Sequence, residues 1–316
     1  MFFLYKIYNM LYAIIIVLII IFCITSKNKL VSKNNIKWAI FTQIHNPIDL
    51  KTWLKYHLKL NPDKIYINIE NDPNLVVPIK SNKIVVEYST TKQGSWGNDL
   101  DIRLQDNFNK TAVVARKEGI EWMIKIDEDE LLFSPDGKNI VDILTNVDAN
   151  SIRLKNYEAF YPNVNKDPNF CFSSDVLFAR CDKPGHCSAY GNGKSFGRIS
   201  NPKVLQFGSH YFRGPNTSNE FLPIEDLVIL HFESCNFQKW KHKFGKMYHN
   251  NELDKQLYYR NYRGSLRDFL KTKFPQYYKS VNVFGKKDLT EEDLIKVYSN
   301  MRLQRPNIKY RQFDFF

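Results

Sequence analysis

No two of the five cysteines (Cys23, Cys171, Cys181, Cys187 and Cys235) stand in a C-x-x-C pair. Cys181, His186, Cys187 and Cys235 also lack the paired short spacing of a structural zinc site, so that class is excluded. Cys23 lies in an apolar segment. The other four could form two disulfides in an oxidising compartment or remain reduced, and the compartment stays open. No serine sits in a G-x-S-x-G elbow, which excludes a nucleophile of that type. Acid is scarcer than base, with Asp+Glu 33 against Lys+Arg 45 and a net charge of +12. Such a balance favours polyanions, phosphorylated ligands or an anionic membrane face. The lysines are nevertheless spread through the chain, and no dense arginine cluster interleaves with aromatics. Nucleic acid is therefore set aside as a partner. No internal repeat is present either.

What the chain does have is size and aromatic weight. Its 316 residues can bury a real core, as one large α/β domain or two small ones, and 15% of them are aromatic. One long apolar run stands out, Met10 to Ile24, extended backwards by Ile7 and Tyr8. It approaches the roughly 20 residues that span a bilayer. No A-x-A cleavage site follows, so a retained signal anchor is expected over residues 1–25. Lys6 and the amino terminus lie on one side, and Lys27, Lys29, Lys33 and Lys37 on the other. That asymmetry leans towards a cytoplasmic body but leaves the orientation of this single-pass anchor undecided. Residues 26–35 read as a polar stem.

From Ile36 the periodicity alternates between strand and helix. Ile36–Thr42 reads as a buried strand, and Ile48–Leu60 as an amphipathic helix with Leu50, Trp53, Leu54, His57 and Leu58 on one face. Lys64–Ile69 and Ile84–Tyr88 read as strands. Leu100, Leu104, Phe108, Ala112 and Ala115 mark a second helix at four-residue spacing. A fourth strand starts at Trp122, giving the order β-α-β-β-α-β and predicting a mainly parallel sheet with covering helices. Ile140–Val147 is expected as a short helix, with Ser151–Leu154, Val204–Phe207 and Leu227–His231 as strands. Between Tyr157 and Ser200, prolines and glycines predict long loops around short elements. After Asn236 the chain turns helical and basic, and residues 251–316 read as a helical basic extension. The sequon at Asn109 falls mid-helix and is incidental; a second lies at Asn216-Thr217-Ser218.

The fourth strand, Trp122 to Ile126, runs into Asp127-Glu128-Asp129-Glu130. Four adjacent acids repel one another unless they face water or share a cation. Alternation along an extended chain lets Asp127 and Asp129 point the same way. Two hard oxygen ligands then meet at the C-terminal end of a strand, where open α/β sheets bind ligands. Mg²⁺ or Mn²⁺ carrying a phosphate suits such a pair, while an acidic surface loop is the plain alternative. The residues after Asp129 break the DxDx[TV] loop of haloacid dehalogenase phosphatases. Gly191-Asn192-Gly193-Lys194-Ser195 imitates the end of a P-loop, but position 188 is Ser188 and no strand precedes it. Lys194 could still meet a phosphate as a point charge or sit in a surface turn. His210 and His231 each follow an expected strand and could be a third metal ligand or ordinary buried histidines.

Taken in order, these segments resemble glycosyltransferases of the GT-A fold, in particular the family 2-like and family 92-like group. The pattern W-L-x-Y-H-L is matched by Trp53-Leu54-Lys55-Tyr56-His57-Leu58, and a following I-Y-I strand by Ile65-Tyr66-Ile67. D-x-D-E followed by an apolar residue is matched by Asp127-Glu128-Asp129-Glu130-Leu131, and G-K-S by Gly193-Lys194-Ser195. Leu230-His231-Phe232 and Phe237-Gln238-Lys239-Trp240 match the later strand and helix. The resemblance implies a Rossmann-like GT-A domain over residues 36–250. It also implies a hexosyltransferase-type enzyme moving sugar from a nucleotide donor, UDP-linked, to a hydroxyl of a glycan or protein. Asp127 and Asp129 would hold Mn²⁺ or Mg²⁺, with His231 or His210 as a further ligand. Thr42, Gln43 and Asn46 would lie near the nucleobase, Asp127 and Lys194 near donor or phosphate, and Glu130 beside metal or acceptor. A general base is required; Asp175, Asp182 and Glu158 all remain open for it. The rivals are an inactive carbohydrate-binding or scaffold protein of the same fold and a metal-dependent nuclease or nucleotidyltransferase.

Overall fold

The computed structural model describes residues 36–44, 47, 49–90, 98–161, 171–172, 176–180, 192–232, 235, 237, 292, 295–296 and 310–314. The expected anchor and stem, Asn46, Asp175, Asp182 and most of the C-terminal extension lie outside the described residues. Among the described residues no helix is long and apolar enough to cross a membrane.

The protein is α/β, with a large mixed sheet and few helices. Strand β1 (Trp38–Ile44) is buried along its whole length. Such a run, apolar on both faces, belongs at the centre of a parallel sheet. It pairs in parallel with β2 (Lys64–Glu70) on one side and β4 (Trp122–Lys125) on the other. Strand β3 (Ile84–Ser89) extends the parallel half beyond β2. The expected β-α-β-β-α-β order is present, and each strand falls within a few residues of its expected range.

Helix α1 (Leu50–Lys59) starts at Asp49, whose side chain accepts from the Thr52 N–H at 3.1 Å, an N-cap that satisfies an orphan donor. It stops at Asn61, whose φ of 58° places it in the left-handed region just before Pro62. Its buried face is Leu50, Trp53, Leu54, Tyr56 and His57. Tyr56 takes a place expected for Leu58, and the reason lies in the site described below. Helix α2 (Asn98–Lys117) buries Leu104, Phe108, Ala112 and Ala115. Phe108, Ala112 and Ala115 pack on Ala39, Phe41, Tyr66 and Met123 of the sheet. Phe108 meets Phe41 and Phe212 edge to face, with ring centroids 5.4 and 5.5 Å apart. Helix α3 is the short Ile140–Thr145, capped by Asn139.

Beyond β4 the sheet turns antiparallel. Strand β6 (Ser151–Phe160) is the seam, and it continues well past the expected Ser151–Leu154. Its first half pairs antiparallel with β8 (Lys194–Arg198), itself antiparallel to β4, and its second half with β7 (Leu177–Arg180), which stands on the opposite side of β6 from β8. It also pairs in parallel with β11 (Thr217–Phe221) near its start and with β12 (Val228–His231) farther along. Strand β12 in turn pairs antiparallel with β5 (Glu130–Phe133), which follows the acidic turn. Strands β9 (Leu205–Phe207) and β10 (Tyr211–Arg213) form a separate antiparallel pair. Strand β13 (Tyr310–Arg311) returns from the C-terminal extension to pair with β7, and Phe313 packs on Phe133, Tyr157 and Phe178. A disulfide joins Cys171 to Cys235, tying the chain after β6 to the chain after β12.

Candidate active site

The acidic turn sits where β1 and β4 end. Its backbone closes on itself, the Glu130 N–H donating to the Asp127 carbonyl at 3.1 Å. The Glu130 side chain reinforces it, Oε2 accepting from the Asp127 N–H at 2.9 Å. Helix α1 holds the outside of the turn. Trp53 Nε1 donates to the Glu130 carbonyl at 2.8 Å and the Asp127 carbonyl at 3.1 Å. The Tyr56 hydroxyl donates to the Leu132 carbonyl at 2.9 Å. His57 Nδ1 donates to the Trp53 carbonyl, which leaves Nε2 to accept the Leu132 N–H. Burial lowers the His57 pKa to about 3, in keeping with that neutral tautomer. The W-L-x-Y-H segment thus grips the turn and β5 through three polar aromatic groups. This explains why Tyr56 is turned inward.

Asp127 does not stand ready for a metal. One carboxylate oxygen faces the ammonium of Lys125, at the end of β4, and the other that of Lys194, at the start of β8. Burial alone would raise the Asp127 pKa, but the two lysines hold it well below the carboxylate range. Lys194 also reaches Glu130 Oε2 at 3.3 Å. Burial pushes Glu130 up, towards its neutral form. Lys194 is not in an open glycine-flanked turn. It is 1% exposed, and burial, which lowers its pKa, is outweighed by Asp127 and Glu130, which raise it. Gly193 brings it there: with a φ of 65°, it lies so close to β6 that a Cβ would stand 1.7 Å from the Leu154 carbonyl oxygen. Lys125 was not anticipated as a site residue. Its signal was a lysine inside an otherwise apolar strand immediately before the acids.

Asp129 turns the other way. Its Oδ2 lies 3.5 Å from His231 Nε2. On the far side of the ring, His231 Nδ1 is 2.8 and 2.9 Å from the two oxygens of Glu158. Strand register puts these groups in line, with His231 opposite Glu130 on β5 and opposite Glu158 on β6. Burial lowers the His231 pKa, but Glu158 and Asp129 more than offset this and raise it well above 6.5. His210 is placed elsewhere: its Nδ1 donates to the Gly193 carbonyl at 2.7 Å, and burial, together with Lys194, lowers its pKa to about 3.

At the end of β1, Thr42 Oγ1 and Gln43 Nε2 are buried without a hydrogen-bond partner, and so is Glu130 Oε1. Gln43 Oε1 accepts from Asn107 Nδ2 at 2.9 Å. Orphaned buried polar atoms are uncommon, and a ligand, an ion or a water that completes the site is one explanation for them. The structure therefore brings together Asp127, Asp129, Glu130, Lys194 and His231, places Thr42 and Gln43 on the neighbouring strand, and ties His210 to Gly193 on the Lys194 side of the cluster.

A divalent ion can be tested against this donor set. Among the described residues no three His, Cys, Asp or Glu side chains converge on one cation position. Asp129 and His231 do offer one carboxylate and one imidazole. Oδ2 and Nε2 are ion-paired at a separation of 3.5 Å, longer than an ordinary hydrogen bond of about 2.7–3.2 Å. That separation is close to the roughly 3.0–3.4 Å between neighbouring ligands bound at about 2.1 Å. An ion held by Asp129 and His231 would have to draw its remaining ligands from phosphates and water. No protein-family model matches this chain, and comparison with curated proteins finds no match.

Proposed function

We propose that the chain is a membrane-anchored, metal-dependent glycosyltransferase of the GT-A fold. In this reading it transfers a sugar from a nucleotide donor, UDP-linked by the motif resemblance, to a hydroxyl of a glycan or protein. One observation carries the proposal. Asp129 and His231 stand together, Oδ2 3.5 Å from Nε2, at the C-terminal edge of a β3-β2-β1-β4 parallel sheet, where such folds bind nucleotides. Mn²⁺ or Mg²⁺, when bound there, would neutralise the charge that develops on a nucleoside diphosphate leaving group.

The protein groups divide the remaining work. Thr42 Oγ1 and Gln43 Nε2, unpartnered at the end of β1, supply a hydroxyl and an amide donor to the nucleoside. Asp127, fixed between Lys125 and Lys194, presents a carboxylate whose orientation cannot drift. The two ammonium groups add fixed positive charge behind the diphosphate in a low-dielectric setting, where such charge acts most strongly. Glu130 Nα and Oε2 keep the turn closed. The anchor over residues 1–25 would hold this body beside a membrane-associated acceptor.

Asp129→Asn and His231→Gln should each lower Mn²⁺-dependent nucleotide release from a UDP-sugar by at least about 100-fold, the usual scale for a group that stabilises leaving-group charge. Full activity in both variants would reject the site. A second reading, a binder without turnover, is favoured by the saturation of Asp127 with lysines. It predicts a thermal shift with UDP and Mn²⁺ but no released nucleotide.

A further inference from the structure

The motif resemblance left Glu158 open as a general base. Its surroundings argue for a different duty. It is 2% exposed, and both of its oxygens lie within 2.9 Å of His231 Nδ1. Oε1 also accepts from Asn156 Nδ2 at 2.9 Å. Asn156 and Glu158 stand two residues apart on β6, so they share a face, and the parallel register sets Glu158 directly beside His231. A carboxylate so enclosed cannot reach an acceptor hydroxyl.

We infer that Glu158 is the positioning residue for His231, with Asn156 bracing it. Its carboxylate takes the Nδ1–H, fixes the ring, and aims Nε2 at Asp129, where a divalent cation that displaces the Nε2 proton would take it as a ligand. The inference rests on the assignment of Asp129 and His231 as metal donors. Its physical basis is general: an imidazole ligand whose other nitrogen donates to a carboxylate is oriented and made more basic, and losing that partner typically weakens metal binding by about 10–100-fold. The buried orphan Glu130 Oε1, opposite His231 in the strand register, is a further polar atom lacking a partner at this point.

The test is Mn²⁺ binding by the purified protein, read by electron paramagnetic resonance. Bound Mn²⁺ should show coupling to a directly ligated imidazole nitrogen in pulsed spectra, and His231→Gln should remove that coupling. Glu158→Gln keeps the volume and one acceptor but loses the charge, and should weaken Mn²⁺ by about 10–100-fold. Asn156→Ala, a milder change, should weaken it in the same direction by a smaller factor. Mn²⁺ bound without nitrogen coupling, no Mn²⁺ binding by the wild type, or wild-type affinity in both variants would overturn the role. The outcomes separate from those for the enzyme activity. Nitrogen-coupled Mn²⁺ weakened by Glu158→Gln, with no nucleotide sugar consumed, rejects the transferase reading alone. Nucleotide-sugar turnover with unaltered Mn²⁺ affinity in Glu158→Gln and Asn156→Ala rejects the positioning role alone.

Discussion

Lys194 is 1% exposed and yet faces two carboxylates, so its charge is part of the interior. Removing one partner of a buried ion pair leaves the other charge uncompensated, at about 3–5 kcal/mol. Lys194→Met is expected to lower the unfolding free energy by that order in a urea titration; a loss below about 1 kcal/mol would contradict the clamp. The same substitution frees one oxygen of Asp127 and removes a positive charge that acts on Asp129. His57 gives a pH signature of its own. Its pKa falls to about 3 in the fold against 6.5 when unfolded, so the unfolded chain binds the extra proton between those values. Stability should therefore fall as pH drops below 6.5, and His57→Gln should flatten that slope between pH 6.5 and 4. An unchanged slope would mean that the ring is not held neutral between Trp53 and Leu132. Among single residues, Asp127 and Asp129 were legible as a pair, but their divergence was not. Spacing says which way a side chain can point, and only Lys125 on the same strand, with Lys194 and His231 brought in from other strands, decides which way each one does point.

The elements near the N-terminal side of the body were readable because their signals are local. Strands β1, β2 and β4 are continuous apolar runs, and α1 and α2 carry helical spacing with lysines outside. Strands β5, β7 and β8 were not readable. Each is four or five residues long, and what makes each a strand is a partner far along the chain, such as β12 for β5 or β6 for β8. Strand β6 was cut short in the reading because Asn156 and Glu158 interrupt its apolar pattern, and these are the residues turned towards His231. The W-L-x-Y-H segment was legible as a pattern and opaque as a device, since its hydrogen bonds reach 74 to 77 residues ahead. Trp53→Phe keeps the ring and removes both bonds to the turn. It should cost about 1–3 kcal/mol of stability and reduce activity more than Leu54→Val does. Equal activity in the two variants would separate α1 from the site. The Cys171–Cys235 bridge ties together the ends of β6 and β12, which carry Glu158 and His231. Cys235→Ser should destabilise the fold by about 2–4 kcal/mol, with a matching drop in melting temperature when the wild type is reduced. No change on reduction would show that the bridge does not brace those strands.

Across the whole molecule, the net charge of +12 takes on a narrower meaning than it had in the composition. Lys125 and Lys194 are spent inside on Asp127, and Arg103 on Glu70 through a 2.7 Å pair, while the exposed lysines of α1 lie on its outer face. The buried cations meet at the C-terminal edge of the parallel strands, together with the acidic turn and the unpartnered groups of Thr42 and Gln43. In the proposed function this cluster is where a phosphorylated small molecule binds. That role makes the account depend on one chemical act, release of a nucleoside diphosphate from its sugar with a divalent ion present. The direct measurement is to incubate the protein with a panel of nucleotide sugars and Mn²⁺, with and without a chelator, and to quantify free nucleotide. The account predicts release from a uridine-linked donor, abolished by the chelator and by Asp129→Asn. No release from any donor, or release that the chelator and Asp129→Asn leave unaltered, would contradict it.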